Sequence, residues 1–73
     1  MFAKEDLVKL ARTEMPFGKY KGRVLIDIPE EYLLWFQRKG LPEGNLGRLL
    51  ALALEIHVNG LADLVKALKS TEG

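Results

Sequence analysis

Cysteine is absent from this 73-residue chain. That excludes disulfides and any thiolate-bound zinc, and it suits a reducing compartment. Histidine occurs once, at His57, with no second histidine to join it. Long apolar runs are also missing. The longest, "LLALAL" from Leu49 to Leu54, falls far short of the roughly 20 residues a membrane-spanning helix needs. The N-terminal "MFAKEDLVKL" mixes charge with apolar residues and lacks the uninterrupted apolar stretch of a signal peptide. Net charge is only +1, so no global field draws the chain to nucleic acid. No internal repeat, linker or low-complexity segment divides it. We therefore expect one domain over 1–73, soluble and cytoplasmic, with no cofactor and no metal.

What is present is apolar. Hydrophobic residues make up 48% of the chain, enough to build a core and too many for a disordered segment. A chain this short lies near the lower limit for folding without staples. Its stability must come from packing, from well-formed helices, or from a second copy of itself.

The apolar pattern then places the elements. Ala3, Leu7, Leu10 and Ala11 share one stripe of an amphipathic helix, which Pro16 must stop. "RVLIDI", residues 23 to 28, reads as a short β-branched strand. Met15 to Phe17 is its expected partner in a small hairpin around "GKYKG". Pro29 suits the first position of a second helix. Glu30 and Glu31 at the start of that helix, and Arg38 and Lys39 at its end, match the helix dipole. Gly40 is a natural stop. A third helix follows from about Leu46 to Val58, with Arg48, Glu55 and Asn59 as its one narrow polar stripe. "NG" at 59 and 60 breaks or bends it, and Leu61, Leu64, Val65 and Leu68 form a last amphipathic helix. The expected class is α+β, mainly helical: helix, hairpin, then three helices, the third long and central. So broad an apolar surface on the third helix requires either a central position or packing on both sides. On that ground we expect a homodimer, and Tyr32, Trp35, Leu49 and Leu52 are the candidate interface residues toward a second copy or another protein.

Chemistry is sparse. His57 falls within the apolar arc of the third helix, with no cysteine, second histidine or neighbouring serine, and a structural role is expected. Asp27, Glu30 and Glu31 form an acidic cluster, but acidic residues at a helix start follow from the dipole alone. "FGKYKG" lacks the spacing and the Ser/Thr of a Walker loop, and it precedes a strand rather than a helix.

One stretch remains, "PFGKYKGR" at 16–23. Between Arg12 and Arg23 the chain carries four cations against Glu14 alone. Lys19 and Lys21 can neutralise phosphates, and Tyr20 between them can stack on an unpaired base. Gly18 and Gly22 supply turn conformations and let a backbone approach. The plainer reading is a turn whose glycines adopt positive φ and whose lysines serve solubility.

"MPFGKYKGRVLIDIPEEYLLWF", followed by "LPEGNLGRLLALALEIHVNGL", resembles a family of small bacterial proteins labelled "putative quorum-sensing-regulated virulence factor". The resemblance spans about residues 1 to 69. The label concerns expression and phenotype and implies no chemistry. The first half is also similar to a module at the C-terminus of exonuclease X-type exonucleases. That likeness runs through Phe17, Gly18, Lys19, Tyr20, Lys21, Gly22, Pro29, Tyr32, Leu33 and Trp35. It implies a nucleic-acid-associated accessory domain without the catalytic exonuclease domain. The expectation is a non-catalytic protein that contacts single-stranded or end-exposed DNA or RNA through Lys19, Tyr20, Lys21 and Arg23, with Arg12 as a flank. The alternative is a protein-interaction or self-associating module that touches no nucleic acid.

Overall fold

A computed structural model describes residues 2–70. Among these, the elements are α1 (Lys4–Arg12), a 3-10 turn (Leu25–Asp27), α2 (Glu30–Lys39), α3 (Asn45–Val58), α4 (Ala62–Lys66) and a closing 3-10 turn (Ala67–Ser70). The helices lie where the periodicity puts them. α1 carries Glu5 and Asp6 in its first turn and Lys9 and Arg12 in its last, favourable at both ends of the dipole. α2 starts one residue later than expected. Pro29 is the extended cap residue, and its carbonyl accepts from the N–H groups of Tyr32 and Leu33 at 3.1 Å each. α3 ends at Asn59 and Gly60. Gly60 has φ 73°, its N–H donates to the His57 carbonyl, and the Leu61 N–H donates to the Ile56 carbonyl, each at 3.0 Å. This double reach-back satisfies carbonyls left open at a helix end, and glycine accommodates it without a Cβ clash.

The expected hairpin does not form, and the expected α+β class gives way to a helical one. Among the described residues no strand is present, only a single antiparallel bridge between Glu14 and Val24. Around it, the Met15 N–H donates to the Arg23 carbonyl and the Gly22 N–H to the Met15 carbonyl, both at 2.8 Å. The Leu25 N–H donates to the Thr13 carbonyl at 2.9 Å. The pairing stops there on both sides. Pro16 has no N–H to extend it. From Leu25 the chain coils into a 3-10 turn, and Leu25, Ile26 and Ile28 are all fully buried. A strand would send Leu25 and Ile26 to opposite faces. The turn lets all three side chains enter one core, each burial worth about 1.5–3 kcal/mol.

α3 is the central element. It packs against α2, α1, the Leu25–Asp27 turn and α4, whereas α2 packs against α3 alone among the named elements. Leu49, Leu50, Ala53, Leu54 and Ile56 all lie in the core. Leu49, expected at a dimer interface, is 2% exposed inside its own chain. The breadth of apolar surface on α3 is thus accounted for by a central position, and it no longer calls for a second copy.

Two directional contacts add to the apolar packing of the helices. The first is Gly47, in the opening turn of α3, where a Cβ would overlap the Pro42 carbonyl oxygen. The link between α2 and α3 therefore lies directly on the helix. The second joins α3 to α1. Arg48 donates from both Nη atoms to the two carboxylate oxygens of Asp6 at 3.0 Å each, and from Nε to Asn45 Oδ1 at 3.1 Å. The hydrogen bonds from Arg48 hold the Asp6 carboxyl below its ordinary range. Desolvation opposes this, and the charges of Arg48 and Lys9 add to the lowering.

Gly47→Ala therefore lowers stability by about 1–3 kcal/mol, the cost of forcing volume into a filled site. Glycine to alanine in an open helix interior raises it by roughly 1 kcal/mol. Urea denaturation reads the sign directly, and a stabilised variant would refute the close approach. Asp6 has a depressed folded pKa, so its contribution is present above the unfolded carboxyl pKa and is lost as pH falls through the folded one. Asp6→Asn should flatten the fall of the urea midpoint with acid below about pH 4. Equal acid slopes in the two proteins would show that the pair does not couple to folding.

Candidate functional site

The loop closed by Met15, Gly22 and Arg23 carries the basic stretch. Met15 anchors it from below, being 1% exposed. Inside the loop the Lys21 N–H donates to the Gly18 carbonyl at 3.2 Å, and the Arg23 N–H to the Tyr20 carbonyl at 3.0 Å. Gly18 and Gly22 have φ of 83° and 89°, the left-handed conformations expected of a glycine-bracketed turn. Gly18 meets a second constraint, since a Cβ there would lie 3.3 Å from the Tyr32 hydroxyl oxygen. The loop is thereby seated against α2.

Five of the six aromatic residues of the chain meet at this seam. On α2, Tyr32, Trp35 and Phe36 fall at i, i+3 and i+4, one face of the helix. Tyr32 is the hub. Tyr20 meets it edge-on at 4.8 Å between centroids, Trp35 stacks on it at 5.5 Å and 25°, and Phe36 lies edge-on at 5.9 Å. Phe36 continues the cluster to Trp35 at 6.0 Å and to Phe17 at 6.2 Å. Such ring pairs are worth about 0.5–1.5 kcal/mol each beyond their buried area.

Cations lie over these rings. The Lys19 ammonium is 5.6 Å from the Tyr20 centroid and the Arg23 guanidinium carbon 5.4 Å from it. Lys39 reaches the Trp35 ring at 6.0 Å. These distances fall at or within the roughly 6 Å over which a ring quadrupole attracts a cation. Lys21 is exposed on the same loop, and Arg12 is exposed in the last turn of α1. The structure therefore gathers Lys19, Tyr20 and Arg23 with Tyr32 and Trp35. Phe17, Phe36 and Lys39 were not assigned to the site from the sequence. The spacing of Trp35 and Lys39, four apart on one helix, was the available signal.

The remaining candidates lie elsewhere. Leu52 is half-buried and lines a groove of about 420 Å³ between α1 and α3, beside the Asp6–Arg48 pair. His57 is half-buried, and its Nε2 lies 2.9 Å from the Ile26 carbonyl oxygen. A carbonyl only accepts, so the imidazole donates there and fastens α3 to the Leu25–Asp27 turn. Among the described residues no group of three or more His, Asp or Glu is placed to hold a metal ion. No helix among them is long and apolar enough to cross a membrane.

Residues 3–68 match the family described as "Putative quorum-sensing-regulated virulence factor". The chain belongs to this family. It is also similar to the "Uncharacterized protein YpeB" of Escherichia coli K12, 60% identical over 67 residues that cover 90% of this chain and 93% of that protein. The protein of the same name in Escherichia coli O157:H7 matches equally. No solved structure matches the chain. The family and its relatives establish kinship and leave the biochemical function unknown.

Gly22→Ala should cost about 1–2 kcal/mol from its left-handed backbone alone, since nothing lies within 4 Å of a Cβ there. Gly18→Ala should cost slightly more, because its Cβ would also press on the Tyr32 hydroxyl at 3.3 Å. Urea midpoints of the two variants measure the difference. Equal losses would show that the loop is not seated on Tyr32.

Proposed function

We propose that this protein is a small non-catalytic accessory module that holds nucleic acid on the surface shared by the 16–23 loop and α2. One observation carries the reading: Lys19 and Arg23 lie over the Tyr20 ring and Lys39 over the Trp35 ring, and both rings pack against Tyr32. Cations supply phosphate contacts, and aromatic rings supply stacking that tolerates any base. The low net charge makes the attraction local rather than a property of the whole molecule. The resemblance read from the sequence between residues 17–35 and the C-terminal module of exonuclease X-type enzymes, which the family match and the curated relatives do not include, would imply the same association.

A second reading has its own observation. Phe17, Leu34 and Trp35 are 43%, 38% and 45% exposed. Exposed aromatic residues serve as anchors in protein interfaces, so a protein partner is the alternative occupant.

Titration with DNA and RNA oligonucleotides at low salt separates the two. About three phosphate contacts give a log–log slope of about −2 against salt for a single strand. Replacing Lys19, Lys21 and Arg23 together by glutamine should weaken binding and flatten that slope. Absence of any salt-sensitive binding would overturn the nucleic-acid reading. Equal binding by the native and triple-variant proteins would remove the loop from it.

A further inference from the structure

Within the aromatic cluster the rings differ in what is left of them to offer. Tyr20, the ring that the sequence singles out for stacking, is half-buried. Its contacts are already taken: Tyr32 meets it edge-on at 4.8 Å, and both Lys19 and Arg23 lie over its ring. Tyr20 is a post that holds two cations in place. Trp35 has the opposite character. Tyr32 supports it by stacking at 25°, yet 45% of the residue remains exposed, and the cation over it among the described residues is the terminal ammonium of the exposed Lys39. Phe17 is nearly as open, and both rings abut Phe36, so they stand on the same support.

We infer that Trp35, with Phe17 as the other exposed ring on Phe36, is the stacking platform of this surface and that the ligand is a single strand with unpaired bases. The inference rests on the nucleic-acid reading above and refines which side chains serve which part of the ligand. A duplex hides the faces of its bases within its own stack and presents only phosphates and groove edges. It could use the cations here but not the rings. An exposed Trp35 ring with Lys39 over it, joined through Tyr32 to a Tyr20 ring that carries Lys19 and Arg23, suits a ligand that carries flat π faces and negative charge on one chain. Charge also sets the direction of the footprint. Glu30 and Glu31 occupy the first turn of α2, and Arg38 and Lys39 its last. The strand therefore avoids the N-terminal end of α2 and follows the rings toward Lys39. A base arriving on Trp35 displaces the Lys39 ammonium from the ring and leaves it beside the neighbouring phosphate.

Trp35 is the chain's single tryptophan, so the native protein reports on itself. An oligothymidylate should quench its fluorescence, and a duplex of equal length should bind more weakly with little quenching. Trp35→Leu should weaken oligothymidylate binding about five- to 150-fold, the range expected for one stacked base. The salt slope should stay unchanged, because stacking releases no counterions. Trp35→Phe should recover part of the loss, and circular dichroism verifies that both variants are folded. Salt-sensitive binding that neither quenches Trp35 nor responds to Trp35→Leu would overturn the stacking platform and leave the electrostatic reading standing. Duplex binding as tight as single-strand binding would overturn the preference for unpaired bases. Absence of salt-sensitive binding to any oligonucleotide would overturn both readings and pass the exposed rings to a protein partner.

Discussion

The fold depends on burying one short apolar segment. Leu25, Ile26 and Ile28 are fully enclosed, and the turn they form touches α1, α3 and α4. Such a turn leaves backbone groups without helical partners. The Ile26 carbonyl is met by the His57 imidazole and the Leu25 N–H by the Thr13 carbonyl. With that segment in place, the preceding residues cannot run on as a ribbon. They must close over Met15, and the loop at 16–23 is projected to the surface as a consequence.

The same packing frees α2. It touches α3 and no other named element, and of its residues only Leu33 is fully buried. A helix held on one side can carry aromatic residues on another face without losing its place. Tyr32 links these two roles. It packs against the core, and it touches Tyr20, Trp35 and Phe36. Gly18 lets the loop come down onto its hydroxyl. Lys19 and Arg23 thus gain places over the Tyr20 ring, where an isolated surface lysine would sample many.

Two polar contacts sit at joints between elements. Arg48 clamps Asp6 across α1 and α3, and His57 joins α3 to the 3-10 turn. Among the described residues no buried side-chain polar atom lacks a partner. An apolar core specifies compactness more readily than register, so directional contacts at the joints limit how the helices can slide.

Much of this was legible in the chain itself. The helix spans follow from periodicity, and the ends of α2 and α3 from Gly40 and Asn59–Gly60, because these are local effects of backbone sterics and hydrogen bonding; α1 ends at Arg12, ahead of the stop expected at Pro16. The left-handed glycines of the loop were legible for the same reason. The hairpin was not. "RVLIDI" has strand composition, but whether its side chains alternate or converge depends on how many neighbours surround it, and only the arrangement of α1, α3 and α4 decides that. Leu49 and the breadth of α3 suggested a second copy for a like reason: a helix wheel shows how much surface is apolar but not whether the same chain covers it. In the candidate site, the loop's cations were readable from spacing. The meeting of Phe17 and Tyr20 with Tyr32, Trp35 and Phe36 was not, since the two groups come from separate segments and only the seating of the loop on α2 brings their rings together.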